Sequence, residues 1–174
     1  GKFRQQFGVL NRWHKHGLDQ VDFPLPLRRI FGDGGLNQTG VSIDWAMPDL
    51  WGTSQSMLLQ VTDGENGRLF SGNHLSTPAA LLRYTSYQDL TRNTYLDLGV
   101  SALIGFNDDW DIKSGDTVIT DGKSLSTRVL GLDFCVLWEP TGNMRYRNIE
   151  WRTEAYLLNR DLLAPDDAKR DTIN

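Results

Sequence analysis

The sequence predicts an all-β chain, and more narrowly an antiparallel up-and-down transmembrane β-barrel. Three observations predict it: runs in which every second residue is apolar, connections that alternate long and short, and tryptophans gathered near one end of the runs. Period-two alternation gives a strand one apolar face and one different face. In a soluble sandwich the apolar face turns to the core. In an outer-membrane barrel it turns out to lipid, and the small, polar face lines a lumen. Residues 1–174 read as a single barrel domain or a segment of one.

Seven strands are expected, near 2–10, 40–47, 55–63, 79–89, 94–107, 127–138 and 148–158. In VSIDWAM, Val41, Ile43, Trp45 and Met47 oppose Ser42, Asp44 and Ala46. The run at 79–89 alternates poorly, and TPAALLRY is also compatible with a short helix capped by Thr77 with Pro78 in its first turn. TYLDLGVSALIGFN is the clearest strand, with Leu96, Leu98, Val100, Ala102, Ile104 and Phe106 on one face. Its other face carries Tyr95, Asp97, Gly99, Ser101, Leu103 and Gly105. In VLGLDFCVLW the apolar set is Leu130, Leu132, Phe134, Val136 and Trp138. NIEWRTEAYL sets Ile149, Trp151, Thr153, Ala155 and Leu157 against Glu150, Arg152, Glu154 and Tyr156.

The connections run long (11–39), short (48–54), long (64–78), short (90–93), long (108–126) and medium-short (139–147), before a polar tail at 159–174. A barrel that crosses a membrane keeps its turns short on one side and its loops long on the other. If the short turns share a rim, Trp45, Trp138 and Trp151 all lie within about four residues of it on the apolar face, as an interfacial girdle does. The opposite parity collects Asp44, Asp97, Asp133, Glu150, Arg152 and Glu154, and with them Arg83, as candidate lumen-lining residues. Gly99, Gly105 and Gly131 share that parity. Glycine weakens a strand interior, so its use there points to room left for a neighbouring side chain or a bend.

Composition bounds the rest. The chain is 39% hydrophobic and 23% charged, and no stretch approaches 18 apolar residues, so a transmembrane helix is not expected. A net charge of −4 argues against a nucleic-acid partner. Cys135 is the single cysteine, which leaves no internal disulfide and no cysteine-based zinc cluster. His14, His16, Asp19 and Asp22 fall together in one loop and are of the types that ligate zinc. DGENG at 63–67 lacks the twelfth-position Glu of a calcium loop, because His74 stands there. Glu150 and Glu154 lie about 13 Å apart along a strand, too far for paired acid–base work. Arg28 and Arg29, with Arg83, are candidates for a positive constriction. No nucleophile triad, phosphate loop or dinucleotide fingerprint is present, so no enzyme is expected.

The stretches GKFRQQFGVLN, HKHGLDQVDFPLPLRRIFGDGGLNQTGVSIDWAMP, LDLGVSALIGFND, VLGLDFCVLWEP and YRNIEWRTEAYLLNRD resemble a family of Gram-negative outer-membrane barrels. Its members are often labelled zinc-regulated TonB-dependent outer-membrane receptors, and the pattern is more distantly similar to phosphate-selective porins. The resemblance implies a location in the bacterial outer membrane, lipid as a partner and passage or uptake of a small solute. It also implies that a homo-oligomer is possible. Two departures are expected to matter. Nothing in the sequence corresponds to the plug domain of a TonB-dependent transporter. Seven is an odd count, and the usual C-terminal strand ending in an aromatic is absent, so a fragment of a larger barrel or a barrel with one unrecognised strand is expected. The competing expectation is a soluble β-sandwich or lipocalin-like protein that binds a small molecule, with its apolar faces meeting inside.

Overall fold

A computed structural model describes residues 1–13, 17–18, 22–50, 52–70, 77–107, 111–114, 117–120, 124–142, 147–163 and 170–173. For Leu50, 111–114, 117–120, 162–163 and 170–173 the description is of the backbone alone. The fold is all-β. The long strands are β2 (Asn37–Leu50), β3 (Thr53–Thr62), β4 (Ala79–Thr91), β5 (Thr94–Asn107), β8 (Leu125–Trp138) and β9 (Ile149–Leu163). They pair antiparallel in chain order, and with β10 (Arg170–Ile173) they form one sheet curled into a half-barrel. The short β1 (Lys2–Arg4) adds to the free edge of β2, and β6 (Asp111–Ser114) with β7 (Thr117–Thr120) makes a separate hairpin. One helix, α1 (Leu25–Phe31), lies between β1 and β2.

The strand expected at 2–10 ends at Arg4. Alternation of Phe3, Gln5, Phe7 and Val9 suggests a longer strand, but Gly8 takes a left-handed backbone (φ 65°) and turns the chain into the concavity. TPAALLRY continues as strand, not helix, because Ala79, Leu81 and Arg83 on one face are buried while Leu82 is exposed. The connection 108–126 contains the β6–β7 hairpin, and the tail at 159–174 extends β9 and adds β10.

Burial sorts the two faces of the half-barrel. Its concave face carries the dry core: Leu81, Leu103 and Val129 from the sheet meet Phe7, Leu27, Phe31, Leu36 and Phe70. Helix α1 covers this core with Leu27 and Phe31. Arg68, from the connection after β3, donates to the carbonyls of Arg28 and Arg29 at 3.0 and 2.9 Å, satisfying acceptors at the end of the helix.

The convex face is apolar and bare. Among the described residues, every exposed large apolar side chain except Leu25, Tyr87 and Leu90 lies on it. This apolar band slopes across the strand register. Its lower edge, toward the short turns, is Met57 on β3 and Tyr84 on β4, with Gln55 and Ser86 beyond. On β5 it reaches Leu96, and on β8 and β9 it reaches Trp138 and Ile149. The register aligns Trp45 with Leu132 on β8 and Ala155 on β9, so Trp138 and Trp151 stand respectively six and four residues nearer the short turns. Strands tilted at about 35–45° displace a line of constant height by roughly 1–1.5 residues per strand step.

Among the described residues both long edges are open. From Val41 to Met47, β2 pairs only with β3, and from Ile149 to Asn159, β9 pairs only with β8. Among the described residues edge partners stand at the far ends, where β1 meets Asn37–Thr39 and β10 meets Arg160–Leu163. Among the described residues six of the seven expected runs are long strands of this sheet, the run at 2–10 supplies only the short β1, and β10 brings the curled antiparallel sheet to seven strands.

Candidate functional site

The inward side chains of six strands fall into rungs. One rung runs Asp44, Leu58, Arg83, Ser101, Gly131, Tyr156. The next, toward the short turns, includes Thr85, Gly99, Asp133 and Glu154. Tyr87, Asp97, Cys135 and Arg152 follow, then Asp89, Tyr95, Leu137 and Glu150. All seven residues expected to line a lumen therefore sit on the concave face, within four consecutive rungs.

They do not act as one group. Arg83 and Asp133 form a bidentate pair at 2.7 and 2.8 Å, with side chains 5% and 2% exposed. The two strands are separated by β5, and the carboxylate crosses it over Gly99. A Cβ at Gly99 would lie 2.2 Å from Asp133 Oδ2, so only glycine permits the pair. Ser101 Oγ, on the same strand, also accepts from Arg83 at 2.8 Å. Burial of two charges is tolerated when the geometry satisfies both, as here.

Glu154 has a different role. Its Oε1 accepts the backbone N–H groups of Val9 and Leu10 at 2.7 and 3.0 Å, and its other oxygen takes the Tyr156 hydroxyl. The neighbouring amides are held by other strands. Gln6 N–H donates to Gln60 on β3 at 3.0 Å, and Gly8 N–H to Ser101 on β5 at 3.2 Å. Phe7 seats on Gly131 of β8, where a Cβ would come within 2.8 Å of its ring, and packs edge-on against Phe31. Asn11 locks the following turn by donating to the carbonyls of Gln5 and Leu36 and accepting from Leu36 N–H. Residues 5–13 are thus a strap from β3 to β9. Four strand steps measure about 19 Å along a sheet, whereas Gln6 to Leu10 reaches at most about 14 Å. The strap spans the chord of the curl.

Glu150 pairs with Arg152 Nε at 2.5 Å, and the Arg152 guanidinium lies over the Trp13 ring, 5.1 Å from its centroid. A cavity of about 350 Å³ opens between the wall and the strap. Glu150, Arg152, Glu154 and Tyr156 line one side, and Val9, Leu10, Pro24 and Pro26 the other. Asp44 stands apart, exposed on the concave side of β2, which the strap does not cover. Cys135 is half-buried, with Sγ 3.6 Å from Glu150.

Arg28 and Arg29 do not join Arg83 in a constriction. Arg28 pairs with Asp33 and Asp22 at 2.8 and 3.1 Å, and these two carboxylates, Asp33 foremost, hold its guanidinium above its ordinary pKa. Asp22 is therefore engaged in an ion pair, and His14, His16 and Asp19 lie outside the described residues. Among the described residues no group of three His, Cys, Asp or Glu is arranged to hold a metal ion. On the convex side Trp45, Trp138 and Trp151 are 55%, 36% and 63% exposed.

Sequence reasoning did not find the strap or its acceptors Gln60 and Ser101. The inward glycines were the available signal: Gly99, Gly105 and Gly131 each make room for a group, the Asp133 carboxylate, the Phe70 ring and the Phe7 ring. The chain matches no family model, no curated protein and no solved structure.

Proposed function

We propose that this chain is a wall segment of a β-barrel in the bacterial outer membrane, and that the barrel is a porin-like channel or receptor for a small solute. The observation that carries the reading is the sloping apolar band on the convex face. A sheet that meets water exposes polar side chains there, and one that meets a partner sheet has no need of a band that climbs with strand tilt. The side chains turned the other way include, beside the dry core, the charged Asp44, Asp97, Glu150 and Arg152, which suit a polar lumen. The bare edges of β2 and β9 fit the same reading. In lipid, unpaired backbone groups are costly, so further antiparallel strands must join there to close the wall.

The mechanism is passive: solute moves along the charged concave face, and selectivity follows from Asp44, Asp97, Glu150 and Arg152. No enzymatic step, metal or nucleic acid enters it. Fractionation tests the proposal. The protein is expected in the urea-washed outer-membrane fraction, to shift in gel mobility on boiling, and to conduct in planar lipid bilayers. A protein that is soluble without detergent and shows no heat shift sinks the proposal in favour of a soluble small-molecule binder.

A further inference from the structure

The strap is tied to the wall by side chains. It is not a strand of the wall: the amides of Gln6, Gly8, Val9 and Leu10 are held by side chains, where a wall strand would be held by a neighbouring backbone. Those side chains come from β3, β5 and β9, so the sheet's own ladder is complete without it. The linkage is graded. Gln60 and Ser101 are neutral acceptors of one amide each, at 3.0 and 3.2 Å. Glu154 is a carboxylate that takes two consecutive amides, the shorter at 2.7 Å, and charge-assisted bonds of this kind are about twice as strong as neutral ones. Gly8 turns the chain directly over it, with a left-handed φ of 65°. A Cβ at Gly8 would lie 3.1 Å from Glu154 Oε2, so the turn and the carboxylate are fitted to each other. Beside this contact lies the cavity of about 350 Å³, closed on the strap side by Val9 and Leu10.

Resting on the barrel reading above, we propose that residues 5–13 form a gate across the conduit and that Glu154 is its latch. With the latch made, the chord is occupied and the path along β8 and β9 is narrowed to the cavity. With it released, Val9 and Leu10 leave the wall while Gln5 and Asn11 still anchor the two ends of the strap, and the path widens. The latch needs an acceptor at position 154 more than it needs the charge.

The test uses the full-length barrel that contains this wall segment, reconstituted in lipid, with Glu154→Ala, Glu154→Gln and, as a convex-face control away from the cavity, Val41→Ala. Loss of two charge-assisted hydrogen bonds is expected to raise amide exchange at Val9 and Leu10 by roughly tenfold or more in Glu154→Ala. Single-channel recordings of the same variant are expected to show a larger open probability. Glu154→Gln retains an acceptor oxygen and is expected to fall between wild type and Ala, and Val41→Ala to match wild type. Faster exchange at Val9 and Leu10 with unchanged conductance would show that the strap opens without gating, overturning the gate while the conduit stands. Unchanged exchange in Glu154→Ala would remove the latch. If neither wild type nor any variant conducts, the barrel reading itself has failed, and the exchange data still report whether Glu154 holds the strap. Heat-shifted gel mobility confirms that each variant is folded.

Discussion

Leu132 and Asp133 are consecutive residues of one strand, yet the leucine is 59% exposed and the aspartate 5%. The contrast repeats along β5, where Val100 and Ile104 are exposed and Ser101 and Leu103 are buried. In a water-facing sheet the apolar side is the covered one. Here the covered side holds both the aromatic core and the Arg83–Asp133 pair, and the bare side is the apolar one. The difference teaches that burial and hydrophobicity are set by separate surroundings on the two faces. What covers the concave face is the chain's own strap and helix. On the barrel proposed above, what suits the convex face is a medium as apolar as its side chains.

Breaking the pair on the covered face should have the largest effect. Asp133→Ala leaves the Arg83 guanidinium buried without its carboxylate, which is expected to cost about 3–5 kcal/mol. A fall in the denaturant midpoint of that size, largely recovered in Arg83→Met with Asp133→Leu, would be the signature; recovery would fail if the pair had a role beyond satisfying itself. The convex face sharpens the comparison next. Leu132→Arg lies mid-band and is expected to lose about 2–4 kcal/mol of folding free energy in lipid vesicles, with Trp151→Arg near the rim losing about 1 kcal/mol or less. An arginine at 132 that changes stability by less than about 0.5 kcal/mol would instead mark a surface in water.

Gly105→Val is smaller in scale. Its new Cβ would come 2.3 Å from the Phe70 ring, and overpacking of this kind costs about 1–3 kcal/mol, measurable as a lowered midpoint that Phe70→Leu partly restores. Lys2→Ala breaks an ion pair with Glu65 at the half-exposed end of β1, and a change below about 1 kcal/mol is expected in the same assay.

The faces of β2, β5, β8 and β9 were legible because the period of two persists through each, and parity alone then fixes which residues share a side. The register was legible only in part. Short turns bound it, but the slope of the band needs the strand pairings. The strap was not legible, because Phe3, Gln5, Phe7 and Val9 alternate as a strand would. What bends them inward is a carboxylate 145 residues away from Val9. Helix α1 was missed for a local reason: seven residues between Pro24 and Gly32 are too few for a visible period, and its two buried side chains, Leu27 and Phe31, mean nothing without the core they meet. The β6–β7 hairpin and β10 lie in polar stretches with no alternation to read.

The Gly99 gap has a consequence for assembly. A slip of one residue between β5 and β8 would exchange their faces and is excluded by the apolar pattern. A slip of two is invisible to that pattern, since every side chain keeps its side. It would bring Asp133 against Ser101 or Asp97 in place of Gly99. The carboxylate would then meet a side chain, and the guanidinium of Arg83 on β4 would be stranded. One missing Cβ and one ion pair therefore proofread the alignment of three strands at the interval where hydrophobicity cannot.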